Sequence, residues 1–356
     1  MKDSKTSVGV IFGGNSGEHD VSIKSALTII DALQHEENLK IYHVIPLYID
    51  LQGRWWESNI ANKALIKGTA LGINDLPKPI PPAGFRKLPK DHHEIDVWFP
   101  ILHGPNGEDG TVQGLLKLIG KPFVGSGVLG SAVGMDKITM KAVFESAGLP
   151  QVKYFPVDIK ELRLNSINEF QILINKIENK LKYPYFIKPA NLGSSVGITK
   201  AKNKEELILG LQKASILDKR IIIEEGIVAR ELECSALGHK DLRISEVGEI
   251  NLQSSDWYDY ETKYSEISAP PLIPAPIPKS VRERVQNLTK DACEAISAIG
   301  LARVDFFYTD KNNDLFINEI NTLPGFTTNS MYPSLWEASG FTIQKLVAHL
   351  VETARN

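Results

Sequence analysis

The tightest constraint on the fold lies near the start of the chain. Val8–Phe12 is a short apolar run that stops at Gly13-Gly14, and apolar residues recur at helical spacing from Val21 to Leu33. A strand, a glycine turn and a helix in that order open an α/β layer, because a strand buried on both faces needs a helix to cover it. Tyr42–Ile49 and Asp96–Leu102 read as further buried strands bounded by turn residues, with the Pro/Gly-rich Gly72–Pro89 between them as surface loop. Trp55-Trp56, after Gly53-Arg54, reads as hairpin packing.

A chain of 356 residues exceeds what one hydrophobic core usually holds. Three units are expected, at 1–125, 126–220 and 221–356. In the second, a helix over Asp136–Ser146 precedes strands at Tyr185–Lys188 and Val196–Lys200, joined by Asn191-Leu192-Gly193-Ser194-Ser195. The third is strand-rich: Ile221–Glu225, Glu231–Leu237, Ala302–Tyr308 and Leu315–Ile320, with helices over Lys279–Ile299 and Thr342–Ala354. Pro270–Pro278 has the composition of extended polyproline.

Several function classes are excluded. A formal net charge of −3 supplies no field for nucleic acid or an anionic membrane, so neither is expected as a partner. The apolar run at Val8 is cut off by Gly13, Gly14 and the charged Glu18-His19-Asp20 too early for a signal-peptide core, and no later run is long enough to span a membrane. Cys234 and Cys293 stand outside any metal spacing and read as reduced core residues of a cytoplasmic protein.

Three constellations carry chemistry. In Arg303-x-Asp305…Glu319-x-Asn321, strand alternation puts Glu319 and Asn321 on one face, and these with Asp305 are the hard oxygen ligands that Mg²⁺ takes beside phosphates. The competing reading is a solvated strand face, which the strongly apolar flanks oppose. Lys188 runs into the Gly193-Ser194-Ser195 loop, whose backbone N–H groups and hydroxyls suit phosphate oxygens; Lys137 makes a second cation of a clamp. The lysine precedes the glycines, so this is not a P-loop. Glu224-Glu225-Gly226-Ile227, with Glu231, suits either a purine slot with a carboxylate for the ribose or an interdomain turn with solvated acids.

Along the chain they run Lys137, Lys188 with the Gly/Ser loop, Glu224–Ile227 with Glu231, then Asp305…Glu319-x-Asn321, and in that order they resemble the ATP-grasp enzymes. Four further stretches, Gly13–Ser22, His103–Thr111, Tyr258–Tyr264 and Asn321–Ser330, make the chain similar to the D-alanine–D-alanine ligase family from about Val8 to Leu350. The resemblance implies α/β and α+β layers in a three-domain ATP-grasp architecture with a Rossmann-like N-terminal domain. It also implies ATP and D-alanine as substrates, two Mg²⁺ (or Mn²⁺) ions at Asp305, Glu319 and Asn321, and a homodimer. Glu18 would bind the ammonium of the first D-alanine, with His103 near its carboxylate. Lys137 and Lys188 would hold ATP phosphates with the Ser194-Ser195 loop closing over them, Glu224 and Ile227 would meet the adenine, Glu231 the ribose, and Glu225 would belong to the same ATP site. A lid at about 256–278 would carry Lys263 and Tyr264, with Tyr264 reaching toward Ser194 and Glu18. Arg303 and the Gly325 N–H would form an oxyanion hole, and Ser330 and Met331 would receive the second D-alanine.

Taken singly, some of these residues have plainer readings. Glu18 and His19 could cap the helix that follows, His103 could be a loop histidine, and Tyr258, Tyr260 and Tyr264 could be one strand face. Among relatives of the same fold, ligases that take D-lactate or D-serine alter or lack the Tyr-Asp-Tyr…Lys-Tyr stretch retained here at Tyr258–Tyr264.

Overall fold

The computed structural model describes residues 5–162, 167–251 and 270–355. Three four-stranded sheets follow one another along the chain. The first holds β1 (Thr6–Gly13), β2 (Tyr42–Ile49), β3 (Trp55–Trp56) and β4 (Val97–Leu102) in the order β3-β2-β1-β4. β1 pairs parallel with β2 and with β4, so both faces need covering. Alternation divides β1 accordingly: Val8, Val10 and Phe12 join one core cluster with the helix His19–Leu33, and Ile11 joins another with Trp98 and Leu116. That two-sided burial is why the run reads as continuously apolar. β3 pairs antiparallel with the end of β2, the hairpin expected of Trp55-Trp56.

The second sheet is antiparallel, β5 (Tyr154–Asp158), β8 (Arg220–Glu225), β6 (Tyr185–Pro189) and β7 (Thr199–Ala201) in that spatial order. The helices Ile167–Lys180 and Lys204–Leu217 pack Ile174, Ile177, Leu207 and Leu211 against it. The strand expected from Val196 begins only at Thr199, because Ser195 and Gly197 sit at φ +59° and +77° and hold the preceding residues in a turn. β8 completes this sheet, which therefore ends at Glu225.

The third sheet, order β10-β9-β11-β12, contains β9 (Arg230–Gly238), β10 (Arg243–Glu249), β11 (Gly300–Thr309) and β12 (Asp314–Asn321), all antiparallel. The polar edge strand β10 escaped the sequence reading. The helix starting at Lys279 ends at Ile296, before Ile299, because Ser297 takes a left-handed φ of +61°. Met140 and Phe144 of the helix Lys137–Ser146 belong to the core of this third sheet, although they precede the middle one in sequence. Leu237, Leu301, Leu323, Phe326, Trp336 and the helix Ile343–Arg355 share a core with the first sheet, which joins the first and third units through apolar packing. Cys234 and Cys293 are buried and unbridged. Among the described residues no helix is long and apolar enough to cross a membrane.

Candidate active site

The site grows from the middle of the third sheet. Asp305 on β11 lies opposite Glu233 on β9 and Glu319 on β12, so three carboxylates stand in one row on one face. Arg303, two residues earlier on the same face, pairs across the sheet with Asn321. Its Nε and Nη2 donate to the two Asp305 oxygens at 2.7 Å each, and Nε is 2.9 Å from Glu233 Oε2. Burial alone would lower the pKa of this guanidinium, but Asp305 and Glu233 raise it well above its ordinary value. Lys137 Nζ lies 3.2 Å from Glu319 Oε2 and donates to the Leu192 carbonyl at 3.0 Å, tying the row to the Gly/Ser loop. Asn321 Oδ1 accepts from the Leu323 N–H at 2.9 Å and shapes the turn toward Gly325. Carboxylate and amide oxygens alone make up this donor set, which fits a Mg²⁺ or Mn²⁺ ion beside phosphates. Glu233 was missed from the sequence, since its membership depends on β9 register. Its alternation with Glu231 was the one signal available.

The facing wall comes from the second sheet. Lys188 at the end of β6 places Nζ 2.6 Å from Glu224 Oε2, and Lys141 places its own 3.1 Å from Oε1. Burial would raise the Glu224 carboxyl; the two lysines outweigh it and hold the pKa down to about 2. Burial pulls the Lys188 ammonium down, and Glu224 more than reverses this. A cleft of about 470 Å³ separates the two walls. Lys137, Lys188, Ser194, Ser195, Glu224, Glu225, Ile227, Glu231 and Glu319 all line it, with Phe186 and Phe307 as apolar sides. The Glu224 carboxylate is directed to lysines, and Glu225 Oε2 accepts from the Lys182 N–H at 3.0 Å.

The first unit contributes a third side. Gly13 has φ +93°, and a Cβ there would come within 2.2 Å of the Ile49 carbonyl oxygen, so only glycine makes the turn that delivers Glu18. Glu18 accepts a short hydrogen bond from Ser194 Oγ. Ser194 itself sits at φ +50°, a left-handed backbone uncommon outside glycine. His103 follows β4 and is buried; burial lowers its pKa and keeps the ring neutral. Its Nδ1 donates to the Leu323 carbonyl at 3.2 Å, which leaves Nε2 to accept from Ser25 Oγ at 3.3 Å. Ser25 Oγ also accepts from the Phe326 N–H at 3.1 Å, so His103 and the Gly325 turn are tied together. The buried Glu108 carboxyl accepts from the Gly104 N–H at 2.6 Å; burial and the Glu18 charge push its pKa well up. A Cβ on Gly325 would lie 3.1 Å from Ser330 Oγ, which in turn accepts from the Thr327 N–H at 3.0 Å. Ser330 precedes the helix Met331–Ala338, with Met331 buried in its first turn. Lys263 and Tyr264, with Tyr258 and Tyr260, fall outside the described residues.

Comparison with known proteins places this architecture. A family model described as D-ala D-ala ligase N-terminus matches residues 7–126, and one described as D-ala D-ala ligase C-terminus matches residues 143–352. The chain is 56% identical over 355 residues to a D-alanine–D-alanine ligase of Synechococcus sp. strain CC9311, covering 100% of both. It is 55% identical over 354 residues to one of Prochlorococcus marinus strain MIT 9303, covering 99% of each. Among solved structures, the VanG D-Ala:D-Ser ligase of Enterococcus faecalis superposes with a TM-score of 0.82 at 32% identity, over 99% of this chain and 100% of that one. The D-alanine–D-alanine ligase of Coxiella burnetii gives 0.78 at 31%, over 99% of this chain and 94% of that one. With both family segments matched and relatives above half identity across its length, this chain belongs to the D-alanine–D-alanine ligase family.

Proposed function

We propose that the chain joins two D-alanine molecules into D-alanyl-D-alanine for peptidoglycan synthesis, with ATP cleaved to ADP and phosphate. The observation that carries the reading is the meeting of three sides at one cleft. The Glu18–Ser194 bond brings the first unit onto the Gly/Ser loop, while Lys137 links that loop to the carboxylate row. A carboxylate cannot expel oxide, so an oxygen of the first D-alanine attacks the γ-phosphorus, ADP leaves, and an acyl phosphate results. The deprotonated amine of the second D-alanine then attacks the carbonyl carbon, and phosphate departs with the C–O bond electrons.

In this reading Glu18 holds the first ammonium, and neutral His103 lies near its carboxylate. Lys137, Lys188 and Ser195 hold phosphates. Glu224, Glu225 and Ile227 border the adenine, and Glu231 takes the ribose. Asp305, Glu319 and Asn321 would hold two Mg²⁺ or Mn²⁺ ions, which when bound neutralise charge between the β- and γ-phosphates. Arg303 and the Gly325 N–H face the oxyanion, and Glu233 anchors Arg303 while Asp305 serves the ions. Ser330 and Met331 receive the second D-alanine. Lys263 and Tyr264 belong to the lid over the acyl phosphate, which water would otherwise hydrolyse.

We place the unit boundaries near 125 and 225, and assign the chain to the cytoplasm as a homodimer. The exposed Leu118 and Leu129 on the packed helices Thr111–Ile119 and Val128–Met135 support an apolar contact between copies. The test is product analysis with D-alanine alone and with added D-serine or D-lactate across pH. D-alanyl-D-alanine should dominate near neutrality. A dominant D-serine or D-lactate product would move the chain to another specificity, and no ADP under any condition would remove the reading.

A further inference from the structure

Lys141 has no part in the chemistry above, yet it is 0% exposed, a rare fate for a lysine. It lies one helical turn after Lys137 on the helix Lys137–Ser146, on the same face. Its Nζ is 3.1 Å from Glu224 Oε1 and 5.9 Å from the centre of the Tyr154 ring. The other Glu224 oxygen belongs to Lys188, at 2.6 Å. The trio therefore holds two cations and one carboxylate, with each carboxylate oxygen assigned to a different lysine. Lys188 and Glu224 line the cleft, whereas Lys141 stands behind them.

Burying an ammonium is expensive, and this one gains a single ion pair and a ring face for the cost. What it changes is the charge presented to the cleft. Without Lys141, Glu224 cancels Lys188 and the wall meets a polyphosphate as a neutral pair. With it, Glu224 is already neutralised and Lys188 retains a full positive charge. We propose that Lys141 is a positioning residue, a buried counter-charge that frees Lys188 for nucleotide phosphates. The inference rests on the nucleotide reading of the cleft. It predicts a role that depends on the number of phosphates in the ligand and not on the adenine.

The experiment compares the affinity of the intact protein for ADP and for adenosine by calorimetry, in wild type, Lys141→Met, Glu224→Gln and the double variant. In Lys141→Met, ADP should bind roughly tenfold more weakly, as expected of one unit charge acting across a partly solvated site. Adenosine should be unaffected. In the double variant the carboxylate charge is removed as well, so Lys188 stands alone as a cation and the ADP-to-adenosine ratio should return to the wild-type value. Glu224→Gln alone should not lower that ratio. A packing role for Lys141 predicts that ADP and adenosine weaken together and that removing a second group makes matters worse. Either result overturns the proposal, as does an unchanged ratio in Lys141→Met. If wild type fails to bind ADP, the nucleotide reading itself falls, an outcome separate from failure of the charge argument.

Discussion

Arg303 offers the sharpest quantitative test of the carboxylate row. Its guanidinium is the cation that serves Asp305 and Glu233, which are 9% and 7% exposed. Arg303→Met keeps an unbranched chain but strands two buried carboxylates beside each other, and breaking such a pair costs about 3–5 kcal/mol. Glu233→Gln is much milder. Arg303 keeps both bonds to Asp305, and the neutral amide gives up only the ion pair with Nε, so a loss of about 1 kcal/mol is expected. In thermal unfolding the first variant should melt on the order of 10 °C lower and the second only a few degrees lower. Mg²⁺ then separates an ion-binding row from an ordinary buried pair. With Arg303 gone, the stranded carboxylates should bind the ion, and at about 100 times its dissociation constant it would restore roughly 2.7 kcal/mol. In Glu233→Gln the guanidinium still competes for Asp305, so Mg²⁺ should recover less. Equal melting losses in the two variants, or equal gains from Mg²⁺, would refute the reasoning.

Glu319→Gln should keep the fold but lose turnover by orders of magnitude in a Mg²⁺-dependent phosphate-release assay; retained activity would remove Glu319 as an ion ligand. Ser194→Ala deletes a hydrogen bond to a charged group, about 1.5–3 kcal/mol, so KM for D-alanine should rise roughly 10- to 100-fold with little change in KM for ATP. Equal shifts in both constants would place Ser194 in folding and not in positioning Glu18. Folding lowers the Glu224 carboxyl from its ordinary 4.5 to about 2, so it contributes stability above the ordinary value that is lost as pH falls toward the folded one. Melting temperature followed from pH 5 downward should therefore fall less steeply in Glu224→Gln than in wild type, and parallel profiles would contradict the pairing.

Much of this was legible in the residues because local rules decide it. Val8–Phe12 and Tyr42–Ile49 lie in strands packed on both faces, so nearly every position is apolar, the exposed His43 excepted, and the run announces itself. Gly13 is dictated by a backbone that no side chain could share. Asp305, Glu319 and Asn321 stood out because acids and amides inside apolar strands demand partners. Left-handed φ angles at Ser195 and Ser297, which serine seldom adopts and its presence does not signal, start the strand after the Gly/Ser loop late and end the helix after Lys279 early. Only the tertiary structure decides pairings between distant segments. Glu233 joins Asp305 through strand register, Ser194 reaches Glu18 across 176 positions, and Lys141 meets Glu224 because a helix that packs on the third sheet also touches the second. Such contacts leave no periodicity, since the charge and geometry that select them exist only once separate elements are packed against each other.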